Sequence, residues 1–214
     1  MNWLLMRHEL VLVLTILILL VLELNFEGER KKSIITITTM LFAAITLIGF
    51  IPMETGSLFG GMYVTDPLRV LMKNILNIAV LIIFLQSGTY LRTTNNKQRI
   101  TEFYLLIISS VIGLNYMISS GHFLMFYLGL ELTTLPISAL ASYDQFRSKS
   151  AEAGIKLILS SAFSSTILLF GLSILYGTQG SLYFTDLNFT TELIPVLGFV
   201  FFFAGSCKNK TNRA

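Results

Sequence analysis

Apolar residues run along this chain in blocks of about 20, the length that crosses the hydrocarbon core of a bilayer as a helix. Seven such blocks stand out, at approximately residues 8–25, 33–53, 67–88, 103–120, 122–143, 151–176 and 193–207. The last is short and interrupted by Pro195. An unpaired strand edge cannot survive in lipid, so the blocks predict helices throughout. The expected fold is all-α: a polytopic membrane helix bundle of about seven transmembrane helices, in a single transmembrane domain over 1–214.

Composition supports the same solvent. Hydrophobic residues make up 54% of the chain and charged residues only 13%, about half of what a soluble surface needs. The basic pI does not imply nucleic acid, because the charges cluster between the apolar blocks. Arg30, Lys31 and Lys32 follow the first block; Arg92, Lys97 and Arg99 the third; Arg147 and Lys149 the fifth; Lys208, Lys210 and Arg213 the seventh. The opposite connections carry Arg7, Arg69 and otherwise acids such as Glu54, Asp66, Asp186 and Glu192. Positive residues stay cytoplasmic, which places the N-terminus outside and requires an odd number of helices. The first block lacks a small-x-small cleavage site and reads as a retained helix rather than a signal peptide. A lone Cys207 excludes a disulfide framework, and His8 and His122 are too few and too distant to suggest a metal.

Chemistry enters with Glu131, near the middle of the fifth block. Ionisable groups at membrane depth are rare and mark ion or proton pathways by default. Tyr127, Glu131, Thr134 and Ser138 recur at helical spacing on one face, with Leu128, Leu132 and Leu135 around it. Pro136 cannot donate to the carbonyl of Leu132, leaving an acceptor one residue from Glu131. The sixth block offers Lys156, Ser160 and Ser164 at steps of four. Helix rise puts Glu131 roughly 16 Å and Lys156 roughly 9 Å below the cytoplasmic ends, a difference two extended side chains or one water can bridge. Desolvation raises a buried carboxylate's proton affinity and a nearby ammonium lowers it, so such a pair predicts a proton gate. The alternative is that Lys156 snorkels to the surface. Lys73 and Asn77 form a second stripe on the third block, where Lys73 is expected to snorkel, and Glu9 and Glu23 are expected at the interfaces.

The run from Phe123 through Glu131 to Pro136, then Glu152-Ala-Gly-Ile-Lys156, Ser160-Ser-Ala-Phe-Ser-Ser165, Leu168-Leu-Phe-Gly171 and Tyr176-Gly-Thr-Gln-Gly180, resembles the subunit N family of respiratory complex I. In mitochondria this is subunit 2. Thr101 to Leu106 and the Gly60-Gly61 to Asp66-Pro67 approach resemble it too. The likeness covers most of residues 55–205. It implies an antiporter-like, inverted-repeat fold of fourteen helices, of which this chain holds three N-terminal helices (1–100), an incomplete first repeat (101–207) and a polar tail (208–214). It further implies that Glu131 and Lys156 serve a cytoplasmic-side proton half-channel in a translocase coupling NADH oxidation to quinone reduction. NADH, FMN, iron–sulfur clusters and quinone then belong to partner subunits, with no cofactor in this chain. The family's seventh helix continues through Phe-Lys and Val-Pro-Phe-His into a second repeat. Here the second-lysine position is Asn209, between Lys208 and Lys210, and the chain stops at Ala214, as a truncated or split reading frame would. The same helices occur in multi-subunit cation/proton antiporters and membrane-bound hydrogenases, and an inactive truncated scaffold is the remaining alternative. The expected location is a bacterial plasma membrane, or else the mitochondrial inner membrane.

Overall fold

A computed structural model describes residues 3–25, 31–51, 54–93, 100–143, 148–186 and 193–206. Arg30, Lys97, Arg99, Arg147, Glu192, Cys207, Lys208, Asn209, Lys210 and Arg213 lie outside the described residues, as do the side chains of Lys31, Lys32 and Arg92. Among the described residues, seven helices appear where the apolar blocks place them. They are α1 (Arg7–Asn25, entered through a short 3-10 turn, Trp3–Met6), α2 (Lys31–Gly49), α3 (Pro67–Thr93), α4 (Ile100–Ile118), α5 (Phe123–Ala141), α6 (Ser148–Gln179) and α7 (Leu193–Ser206). Five of these regions are long and apolar enough to cross a membrane: 3–24, 67–88, 100–118, 123–141 and 149–179. The apolar parts of α2 and α7 are shorter. Pro195 falls in the first turn of α7, where its missing N–H breaks no helical bond. The helix α5 runs unbroken across Pro136.

One element departs from the helical expectation. Residues Gly56–Leu58 (β1) and Tyr63–Thr65 (β2) pair antiparallel, with Ser57 opposite Val64. The turn between them holds Phe59, Gly60 and Gly61 at φ of 52°, 66° and 95°, a left-handed run that needs its glycines. This hairpin lies at one end of the bundle and ties the loops there. Val64 N donates to Ser119 O at 2.8 Å and Gly121 N to Met62 O at 2.8 Å. Phe123 N donates to Leu182 O at 3.0 Å, and Phe184 N to Gly121 O at 3.2 Å. The connections after α2, α4 and α6 are therefore bound into one cap. His122 closes it: its Nδ1 accepts the Leu124 N–H as the N-cap of α5. Burial lowers the His122 pKa, which keeps that nitrogen free to accept.

Two larger apolar cores hold the helices, and a smaller one of Leu5, Met6, Leu58 and Tyr63 seats the hairpin. Leu12, Leu19, Ile34, Phe42, Phe84, Tyr104 and Ile108 join α1 to α4, with Phe84 stacked between Phe42 and Tyr104 at 4.8 and 4.9 Å. Phe123, Leu168, Leu172, Leu175 and Phe202 join α5, α6 and α7. Lipid tails are as apolar as leucine, so helices in a membrane associate by close packing, and small residues permit it. A Cβ on Gly113 would sit 2.6 Å from Thr133 N and 2.8 Å from Gly129 O, so α4 and α5 touch backbone to backbone. Gly171 and Gly205 do the same for α6 and α7, against Phe202 N at 2.5 Å and Leu168 N at 2.6 Å. Large side chains such as Leu47, Leu85 and Phe163 face outward.

A Gly113→Ala change is expected to force α4 off α5 and to cost about 1–3 kcal/mol, the usual penalty for overpacking. Gly177, with nothing within 4 Å of an added Cβ, is the control. There alanine is expected to be neutral or to stabilise by up to about 1 kcal/mol through helix propensity. Thermal unfolding of the purified protein in detergent compares the two.

Candidate ion-pathway residues

Glu131 occupies the predicted face of α5. Thr134 and Ser138 on that face are buried, Tyr127 and Glu131 are half-buried, and Leu128, Leu132 and Leu135 point outward. The face meets α6 through serine. Ser165 Oγ donates to Glu131 Oε1, a direct hydrogen bond between a membrane helix carboxylate and its neighbour helix. The Thr134 hydroxyl donates to the Glu131 carbonyl at 3.3 Å and the Ser138 hydroxyl to the Thr134 carbonyl at 2.8 Å. Both hydroxyl oxygens keep lone pairs. A file of polar oxygens thus leads from Glu131 along α5 to its C-cap, Ser142.

Lys156 is not on this interface. Its ammonium pairs with Glu152 one turn earlier on α6, at 2.6 Å, and the two side chains are 67% and 62% exposed. Helical phase explains the placement. At about 100° per residue, Gly154, Ser161 and Ser165 fall on one stripe, and all three are buried. A Cβ on Gly154 would meet Ser142 Cβ at 2.5 Å, so this stripe faces α5. Lys156 is two residues on from Gly154, roughly 200° around the helix. The predicted stripe of Lys156, Ser160 and Ser164 is therefore turned away, with Ser160 exposed. Glu131 is level with Ser165, nine residues or about 13 Å further along α6 than Lys156. The expected direct Glu131–Lys156 contact is not formed.

A second charged centre is present where interfacial residues were expected. Glu9 and Lys73 are each only 1% exposed and Tyr63 is fully buried. Lys73 Nζ donates to Glu9 Oε1 at 2.5 Å and to the Tyr63 hydroxyl at 2.9 Å. The Tyr63 hydroxyl in turn donates to Glu9 Oε2 at 2.9 Å, with the Leu5 carbonyl 3.2 Å away. Burial, and then the Glu9 carboxylate, push the Tyr63 phenol far above its ordinary range, so it stays protonated as this ring of bonds requires. Beside the ring, His8 Nε2 contacts Asn74 Oδ1 at 3.3 Å, and Asn74 Nδ2 donates to the Gly49 carbonyl at 3.0 Å. Snorkelling fails for Lys73 because the hairpin covers the end of α3 and supplies Tyr63. Opposite charges near the same end of two helices were the available signal in the sequence.

Residues 120–209 match the family described as NADH:quinone oxidoreductase/Mrp antiporter, TM. The chain is similar to curated proteins named NADH-quinone oxidoreductase subunit N. It is 44% identical over 167 residues to that subunit from Phocaeicola vulgatus, covering 77% of this chain and 35% of the relative. It is 40% identical over 208 residues to that from Azobacteroides pseudotrichonymphae, covering 95% and 43%. The chain thus spans about two fifths of the length of the curated relatives it matches. Among solved structures, a chain of respiratory complex I from Thermus thermophilus superposes with a TM-score of 0.69 at 21% identity, covering 92% of this chain and 42% of that one. A chain of the membrane-bound sulfane sulfur reductase, an archaeal respiratory membrane complex, superposes at 0.72 and 17% identity, covering 95% and 44%. These two show a shared fold.

Tyr63→Phe is expected to leave Glu9 and Lys73 each short of one hydrogen bond and to destabilise the protein by about 1.5–3 kcal/mol, as for bonds to charged groups. Thermal unfolding in detergent measures it, with Tyr176→Phe, an exposed site, as the comparison.

Proposed function

We propose that this chain serves as a membrane subunit of a proton-pumping NADH:quinone oxidoreductase, contributing a proton half-channel around Glu131. The observation that carries the reading is the Ser165–Glu131 hydrogen bond, inside the segment that matches the antiporter-like family. The names of the relatives point the same way. Electron transfer falls to partner subunits, which hold NADH, FMN, iron–sulfur clusters and quinone. This chain handles protons only.

The chemistry available to the site is proton relay. A carboxylate can take up and give back a proton when hydrogen-bonded groups lie within reach. Ionised, Glu131 accepts the Ser165 hydroxyl; protonated, it donates to the same oxygen, so the contact survives both states. Thr134, Ser138 and Ser142 line the approach from the end of the bundle where the basic connections cluster. In the proposed orientation that end is cytoplasmic and the N-terminus lies outside, in a bacterial plasma membrane. Lys156 is the basic group of this half-channel. Held by Glu152 on the face of α6 turned from α5, it acts on Glu131 only once that ion pair opens and the side chain is brought round to the α5 face.

The test is Glu131→Gln in the assembled complex. Glutamine keeps the Ser165 bond but cannot carry a proton. Proton pumping and the coupled NADH:quinone activity are expected to fall by roughly tenfold or more, since a positioned proton-transfer group is commonly worth that much, while assembly persists. Undiminished pumping would reduce Glu131 to a packing residue and leave the chain a scaffold.

A further inference from the structure

The ring of Glu9, Lys73 and Tyr63 lies next to polar atoms that the protein itself leaves unpaired. Asn77 and Asn115 are each 0% exposed, and both amide atoms of each lack a hydrogen-bond partner among the described residues. Their depth follows from the helix register. Val64 N donates to the Ser119 carbonyl at 2.8 Å and Arg69 Nη1 to the same oxygen at 3.3 Å, which brings the end of α4 to the start of α3. The two helices run in opposite directions. Four residues inward on α3 is Lys73, and four residues inward on α4 is Asn115, both about 6 Å deeper. Asn77 follows one turn below Lys73. The amides therefore lie at the level of the ion pair and immediately beneath it.

We propose that Glu9, Lys73 and Tyr63 form a proton-exchange site, supplied by internal water held on Asn77 and Asn115 and separate from Glu131. Two physical facts favour this over a structural clamp. Replacing a buried ion pair with well-packed apolar residues is often neutral or stabilising, so holding α1 to α3 does not require charge. A clamp also gives no reason for four orphaned amide atoms, because buried polar groups are nearly always satisfied. A buried water that makes two to four hydrogen bonds fits both amides. The exchange balances simply. With the contact closed, Lys73 is protonated, Glu9 is ionised and the pair has no net charge. When the contact opens, a proton from water bonds to a Glu9 carboxylate oxygen and the pair carries one positive charge. Closing returns the proton to water. Tyr63 stays protonated and keeps Glu9 oriented. The other ionisable groups around the pair are His8 and Arg7 on α1, Arg69 and Asp66 at the start of α3, and Tyr116 on α4.

The site goes beyond the reading of Glu131 and is tested separately, on the full chain in lipid bilayers by pH-perfusion infrared difference spectroscopy. The wild-type protein is expected to gain, on acidification, a carboxylic C=O band that shifts in D2O while the helical amide signal is unchanged. Glu9→Gln should lose this band and Glu131→Gln should retain it. Lys73→Met should move its midpoint to higher pH, because the charge favouring ionised Glu9 is gone. Asn115→Leu should slow its response to a pH step severalfold. If Glu9→Gln does not fold, Glu9→Asp replaces it and should displace the band. A band that survives Glu9→Gln or is undisplaced by Glu9→Asp overturns the proposal. So does one that forms only as the helical signal collapses, the mark of a clamp. The Glu131 reading fails on a different measurement, proton pumping by the complex.

Discussion

Hydrocarbon offers no hydrogen bonds, so every charge within a membrane helix must be met by protein or water. The architecture here answers that demand twice. Near one end, Glu9 and Lys73 satisfy each other across α1 and α3, and the hairpin delivers Tyr63 to complete the ring. Mid-membrane, Glu131 on α5 is met by Ser165 on α6. Both contacts need helices held at fixed rotation, because a turn of 100° would swing either acid into lipid. For α5 and α6 the glycine contacts with α4 and α7 supply that fixed rotation, since backbones in direct touch cannot roll freely, while α1 and α3 are held by the aromatic and aliphatic core.

The two halves of the bundle differ in how they are bound. Helices α1 to α4 share a large aromatic and aliphatic core, while α6 and α7 form a close pair of their own. Between them stands α5, joined to α4 by backbone contact and to α6 by a polar bond and the Gly154–Ser142 approach. The Ser165–Glu131 hydrogen bond therefore spans the seam between two packed units. The loops of the cap cross the same seam through the Phe123–Leu182 and Phe184–Gly121 bonds.

Much of this was legible from residue order alone. Helix positions follow from apolar run length, a property each segment carries by itself. The polar face of α5 follows from spacing, and Glu131 stands out because carboxylates are so costly at that depth. Pairing was less legible, because it depends on how helices are rotated against one another. Lys156 and Glu131 have suitable depths, but α6 presents Gly154, Ser161 and Ser165 to α5, and a local Glu152 captures the lysine. Glu9 and Lys73 are 64 positions apart, and nothing near either foretells the hairpin that seals them in. A chain end reads as interfacial until tertiary structure covers it.

The length of α6 carries a consequence for the bilayer itself. Its 32 residues extend about 48 Å, well past a hydrocarbon slab of about 30 Å. Such a rod must lean or protrude, and the angle it takes depends on the lipids around it. Thinner membranes tip it further, and α7, locked alongside through Gly171 and Gly205, tips with it. The hydroxyl that Ser165 extends to Glu131 rides on that lever, so acyl-chain length becomes a setting on the acid's environment.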